Sequence, residues 1–150
     1  MNPAIRNGLL VGGIGILINA AMSALLGFCG PFVTLIAGGV AGLLTARALA
    51  QTPRSPVATQ GAVAGALTGG LMLIGQMIGA VGAVMIIQAS GSPLLIGDAS
   101  DIGTPAFRVG AIGIAICFGI VGIIFGALAG AGAAYLAWRN PEPPQYGTPA

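Results

Sequence analysis

The residues that could take part in chemistry within the apolar segments of this chain are uncharged. They are Asn19, Ser23, Thr34, Thr45, Thr68 and Gln76. The candidate intramembrane polar patch consists of Asn19, Ser23, Thr34 and Gln76. Such a patch could line a small pore or bind a neutral solute or an ion. Amides and hydroxyls also hydrogen-bond neighbouring helices, each contributing about 0.6 kcal/mol, and we favour this interpretation because two amides without a charge make a weak binding site.

Several kinds of chemistry lack their usual residues here. The sequence has no His, on which haem sites usually depend, and no Asp, Glu, Lys, Arg or His lies deep in an apolar segment, where proton-coupled transport usually needs one. Cys117 and the serines therefore have no imidazole base to activate them. Asp98 and Asp101 could hold a cation outside the membrane, but two carboxylates in a polar loop are more simply solvated. We predict no catalytic residue, no cofactor and no metal site, and we favour a membrane enzyme less than a structural protein or a channel.

The composition predicts an all-α, polytopic membrane protein. Of the 150 residues, 56% are hydrophobic and 5% are charged, whereas globular domains have about 25% charged residues. Four apolar blocks are each long enough to cross a hydrocarbon core of about 30 Å. Each block begins with a proline that follows Asn, Gly, Ser or Thr, which is typical of a helix start. The predicted transmembrane helices cover residues 3–28, 31–50, 56–88 and 105–138.

These four helices form a single transmembrane domain, residues 1–138, followed by a Pro-rich tail, 139–150, that we expect to be disordered and cytoplasmic. The short connection between the first two helices predicts an antiparallel hairpin, and the last two would form another. The sequence also allows an internal repeat, because AGGVAG at 37–42 is similar to FGALAG at 125–130. Such a 2+2 parallel repeat would relate the two hairpins in the same orientation.

Small residues recur every fourth position on the predicted helices, so those of each helix share one face. The glycines that we assign to helix packing are Gly38, Gly42, Gly61, Gly65, Gly69, Gly122, Gly126 and Gly130. This small-xxx-small spacing lets helix backbones approach closely in a membrane. Phosphate binding is the alternative, but the chain has no GxxxxGK[ST] motif. The small faces exceed what one partner per helix needs, which predicts a homo-oligomer or a subunit of a larger membrane complex.

The arginines predict the orientation in the membrane. With four spans, Arg6, Arg47, Arg54 and Arg139 lie on one side and Arg108 lies on the other. Because cytoplasmic loops carry an excess of basic residues, we expect both termini to be cytoplasmic and the protein to lie in the lipid bilayer of a bacterial cell (inner) membrane. Five basic residues are too few for a nucleic-acid partner. The first segment is also compatible with a secretory signal, but it is long for one, and we keep it as a helix.

Three stretches carry a resemblance to known proteins: CGP at 29–31, AGGVAG at 37–42 and QGAVAGALTGG at 60–70. With them, most of the chain resembles small four-helix, Gly/Ala-rich prokaryotic membrane proteins catalogued as domains of unknown function. The resemblance implies an architecture and no functional residues. We therefore expect an integral membrane protein that is not an enzyme and acts as a structural or assembly component. The competing hypotheses are a small channel or transporter for a neutral solute or ion, and a holin-like lytic protein.

Overall fold

Four α-helices make up the structure, a computed structural model that describes residues 1–26, 30–49, 54–90 and 104–138. The helices are α1 (Pro3–Leu26), α2 (Gly30–Ala48), α3 (Arg54–Ser90) and α4 (Pro105–Ala137). The described residues contain no strand, and all four helices are long and apolar enough to cross a membrane. The prediction of an all-α, multi-pass membrane protein is therefore confirmed.

Two of the helices begin at the caps that the sequence predicts. The side-chain oxygen of Asn2 accepts a hydrogen bond from the backbone N–H of Ala4 at 2.9 Å. Thr104 accepts one from the backbone N–H of Phe107 at 3.2 Å. Each bond satisfies a donor that the first turn of a helix would otherwise leave unpaired. The following prolines have no N–H to satisfy, so they suit this position.

The other two helices begin earlier than their prolines indicate. α2 begins at Gly30, one residue before the predicted start, and α3 begins at Arg54, two residues before it. A proline is tolerated anywhere in the first turn of a helix, where no intrahelical bond is lost, so it marks that turn and not its first residue. α3 also continues to Ser90, beyond the predicted end at residue 88. The predicted helix ends at residues 28 and 50 and the tail at 139–150 lie outside the described residues.

The helices differ in length. α1 and α2 have 24 and 19 residues, and α3 and α4 have 37 and 33. At about 1.5 Å per residue, the first pair is about 36 and 28 Å long, which is close to the thickness of a hydrocarbon core. The second pair is about 55 and 50 Å long by the same rise. α3 and α4 must therefore tilt in the bilayer or extend beyond it.

α2 and α3 occupy the centre of the bundle, because each of them packs against the three other helices. α1 and α4 lie on opposite sides, and no described Cα atom of one comes within 8 Å of the other. Ala46, Val57 and Ala134 form one apolar cluster, and Asn7 hydrogen-bonds Thr45. The start of α1, the end of α2, the start of α3 and the end of α4 therefore share one end of the bundle. Both hairpins are antiparallel.

The symmetry expected of an internal repeat is present in half of the bundle. Gly38 of α2 faces Gly126 of α4, and these residues occupy equivalent positions in the two similar hexapeptides. In the same repeat, Asn7-Gly8 matches Gln60-Gly61, but Gly8 of α1 faces Ala64 of α3 and not Gly61. The contact between α2 and α3 also has no counterpart between the described parts of α1 and α4. The repeat thus describes α2 and α4 well, whereas α1 is displaced from its symmetric position against α3.

Candidate functional site

Three helices meet at a stack of small residues, and each layer of the stack contains one residue from each helix. The layers are Thr34–Gly69–Gly122, Gly38–Gly65–Gly126 and Gly42–Gly61–Gly130. Successive layers are one helical turn apart, because the residues on each helix are four positions apart. We call this stack the glycine junction. It contains all eight glycines that the sequence assigns to helix packing.

The backbones of α2, α3 and α4 touch in the glycine junction. A methyl group at Gly65 would overlap the carbonyl oxygen of Gly126, and one at Gly38 would lie 2.5 Å from the same oxygen. The hydrogen atom that stands in place of a side chain at each of these glycines therefore points at a carbonyl oxygen. Such Cα–H···O contacts recur at helix–helix interfaces and contribute about 0.5–1 kcal/mol each. Backbone thus fills most of the centre of the bundle, with no room for a side chain at Gly38 or Gly65.

α1 packs on α3 through a second set of small residues, which we call the α1–α3 seam. A methyl group at Gly75 would lie 2.5 Å from the carbonyl oxygen of Ile16, and one at Gly79 would lie 2.6 Å from that of Ala20. From the four-residue spacing, these two glycines lie on a different face of α3 from the glycine junction. The structure shows that this second face meets α1.

Two members of the candidate polar patch lie in the α1–α3 seam. Asn19 and Ser23 are 0% and 2% exposed. The side-chain N–H of Asn19 donates a hydrogen bond to the backbone carbonyl of Met72 at 2.7 Å. Asn19 Oδ1 and Ser23 Oγ are also buried, but they have no hydrogen-bond partner among the described residues. Since an unsatisfied buried polar group costs roughly 1–3 kcal/mol, these two atoms require an explanation.

The other two members of the patch contact different neighbours. The hydroxyl of Thr34 donates a hydrogen bond of 2.8 Å to the carbonyl of Gly30, one turn earlier in α2, and Thr34 lies beside Gly122 of α4. Gln76 is buried, and its side-chain amide packs against Gly30 at the start of α2. Asn19 and Ser23 thus lie against α3 in the α1–α3 seam, Thr34 bonds within α2, and Gln76 of α3 packs against the first residue of α2.

A further polar set lies nearer the end of the bundle at which α1 begins and α4 ends. Asn7 Nδ2 donates to Thr45 Oγ1 at 3.4 Å, and Thr68 Oγ1 lies 3.2 Å from the carbonyl oxygen of Gly8. These bonds link α1 to α2 and α1 to α3. The candidate patch does not include Asn7. The sequence signal that could have identified it is its amide side chain within the apolar segment of α1, as at Asn19.

The buried side chains that the structure describes are all uncharged. In the same part of the chain, no group of three or more His, Cys, Asp or Glu residues could hold a metal ion. Arg6 and Arg47 are exposed and lie near the shared end of the bundle. The described interior can therefore donate and accept hydrogen bonds, but it offers no group that gains or loses a proton near neutral pH.

The fold thus defines the class of the chain as a multi-pass α-helical membrane protein. Comparison with known proteins takes the assignment no further, because no family model, no curated protein and no solved structure matches this chain. The resemblance to small four-helix prokaryotic membrane proteins stays a prediction. The function has to be inferred from the geometry of the helices and their polar groups.

Proposed function

We propose that the protein is a non-enzymatic structural or assembly component of a membrane. The observation that carries this proposal is the glycine junction, in which backbone contacts between α2, α3 and α4 fill the centre of the bundle. Buried polar side chains next to it, such as Asn7 and Thr68, bond between helices. Packing of this kind supports a rigid body that other membrane proteins can dock against.

We further propose that the docking face is the outer side of α4, in a homo-oligomer or in a larger membrane complex. The glycine junction uses its small residues within one chain, so they are not free for a partner. Gly110 and Gly113 lie outside the glycine junction, and a methyl group at either would meet no atom within 4 Å. Ala106 and Cys117 are also exposed. Together with Gly110 and Gly113 they are spaced by three or four residues, so the four residues form one row along the same face of α4.

The assembly state tests this proposal directly. We expect native mass spectrometry of the protein, extracted from its own membrane in mild detergent, to show a stoichiometric assembly. Gly113→Leu should reduce the assembled fraction at least about fivefold, because overpacking a close contact costs about 1–3 kcal/mol. Gly13→Leu is the matched control, since Gly13 is an exposed helical glycine with equally open surroundings on α1. Equal assembly by both variants would contradict the assignment of α4 as the docking face.

A small channel or transporter for a neutral solute or ion is the second candidate, and the unpartnered Asn19 Oδ1 and Ser23 Oγ favour it. A chain that is found only as a monomer without partners would count against the structural role. In that case, the flux of the solute or ion across liposome membranes that contain the protein should fall when Asn19→Leu or Gln76→Leu replaces the native protein. Unchanged flux in both variants would exclude the polar patch as the pathway.

We also propose that both termini lie in the cytoplasm and that the membrane is the inner membrane of a bacterium. Exposed Arg6 and Arg47 lie near the shared end of the bundle, where Arg54 begins α3 and where cytoplasmic charge is expected. We predict that a green fluorescent protein fused after residue 150 is fluorescent and that alkaline phosphatase fused there is inactive. A fusion between α3 and α4 should give the opposite pair of results. Active phosphatase at the C terminus would reverse the proposed orientation.

A further inference from the structure

The charged residues of the described protein are concentrated at one end of the bundle. Arg6, Arg47 and Arg54 lie at the shared end, where α1 and α3 begin and α2 ends. Arg108 lies in the first turn of α4, at the opposite end. The described residues contain no Asp and no Glu. The shared end therefore carries a positive charge that no carboxylate among the described residues neutralises.

Aromatic residues place the shared end at the surface of the bilayer. Ala46, Val57 and Ala134 form an apolar cluster there. Trp138 packs against this cluster, and Tyr135 is 45% exposed. Trp and Tyr are enriched at the level of the lipid headgroups, because their rings are apolar whereas their N–H and O–H groups are polar. The apolar cluster therefore lies next to the headgroups of one leaflet.

The three arginines lie within about one helical turn of the apolar cluster along the bundle. Arg47 directly follows the cluster residue of α2, and Arg54 begins α3 three residues before the cluster residue of that helix. On α1, Arg6 precedes Asn7, and the amide of Asn7 bonds Thr45 of α2 at 3.4 Å. Three helices thus bring an arginine to the depth at which lipid phosphates lie.

The chemistry of these side chains favours a phosphate with a net negative charge around it. Arg6 and Arg47 are exposed, and all five basic residues of the chain are Arg. A guanidinium group presents its N–H donors in a planar fork that matches two oxygens of a phosphate. In a zwitterionic headgroup a cation stands beside the phosphate and repels the arginine, so an anionic headgroup is attracted more strongly.

We infer that the shared end of the bundle binds anionic phospholipids of the leaflet that it faces. Its arginines come from three different helices at headgroup depth, so a soluble acidic protein would have to enter the headgroup layer to reach them. Each basic residue near an anionic surface favours binding about fivefold, as about 1 kcal/mol implies. The inference holds for either orientation of the chain and does not depend on the proposed structural role.

The fluorescence of Trp138, the single tryptophan of the chain, reports on the lipids at the shared end. The full chain is reconstituted in mixed bilayers in which either phosphatidylglycerol or phosphatidylcholine carries bromine atoms, which quench tryptophan on contact. We expect phosphatidylglycerol to be preferred next to Trp138 by at least about fivefold. The preference should decrease as the salt concentration rises, because salt screens exposed charges.

Arg47→Gln is the test variant and Arg108→Gln is its matched control, because each removes one charge and only Arg47 lies at the shared end. Arg47→Gln should lower the preference about fivefold, whereas Arg108→Gln should leave it unchanged. Arg47→Lys keeps the charge and should retain most of the preference.

Equal quenching of the native protein by the two lipids would overturn the inference. That result is expected if the arginines bind an acidic protein or only orient the chain during insertion. Equal losses of preference in Arg47→Gln and Arg108→Gln would also overturn it, because the preference would then follow the net charge of the protein and not the arginines of the shared end.

Discussion

Gly65→Ala is expected to destabilise the bundle by about 2 kcal/mol or more. The added methyl group would overlap the carbonyl oxygen of Gly126, and that oxygen belongs to the backbone of α4, so no side chain can rotate away. α3 and α4 would have to separate, and the contacts of the neighbouring layers would weaken with them. Overpacking of a tight core typically costs about 1–3 kcal/mol. The measurement is the free energy of unfolding in bicelles, by denaturant titration or steric trapping.

Gly70→Ala on the same helix is the matched control. A methyl group at Gly70 would meet no atom within 4 Å. Since Ala favours a helix over Gly by roughly 0.5–1 kcal/mol, this variant should be as stable as the native protein or slightly more stable. The two substitutions are chemically identical and lie five positions apart, so the difference between them isolates the glycine junction. Equal stability of the two variants would refute the close contact between α3 and α4.

The number of helices and the residues on each small face could be predicted from the sequence, because both depend on local rules. The length of each apolar segment predicts a transmembrane helix, and the four-residue spacing of the small residues predicts which of them share a face of that helix. Asn2 and Thr104 could be recognised as caps for the same reason. The starts of α2 and α3 are predicted too late because a proline is compatible with every position in the first turn.

The partner of each face could not be predicted, because glycine carries no side chain that would select one neighbour over another. Gly38 and Gly75 are each followed by a glycine four residues later, yet Gly38 faces α4 and Gly75 faces α1. The hydrogen-bond partners of the candidate polar patch could not be predicted either. Asn19 bonds the backbone carbonyl of Met72, and every residue has such a carbonyl, so no residue type in the sequence indicates it.

α1 is the helix that takes no part in the glycine junction. It packs against α2 and α3 and has no contact with the described part of α4. Its attachment depends on the α1–α3 seam and on polar bonds such as Asn7 to Thr45. Since local stability follows local packing, α1 should be able to loosen while α2, α3 and α4 stay assembled.

Gly79→Ala is therefore expected to release α1 selectively. Its methyl group would lie 2.5 Å from Cβ of Ser23 and 2.6 Å from the carbonyl oxygen of Ala20. Overpacking of this kind lowers stability by about 1–3 kcal/mol. In hydrogen exchange measured by mass spectrometry in nanodiscs, peptides from α1 should exchange at least about tenfold faster, as a loss of roughly 1.4 kcal/mol in local stability implies. Peptides from α4 should be unchanged.

The control for this last variant is Gly82→Ala, three residues further along α3. There the nearest atom to an added methyl group is Cβ of Ala24 at 3.7 Å, which is an ordinary van der Waals contact. We expect native exchange in α1 for this variant. Equal acceleration in both variants would mean that any added methyl group on this part of α3 loosens α1. Acceleration throughout α4 as well would mean that α1 and the glycine junction unfold as one unit, and the separate role of the seam would be lost.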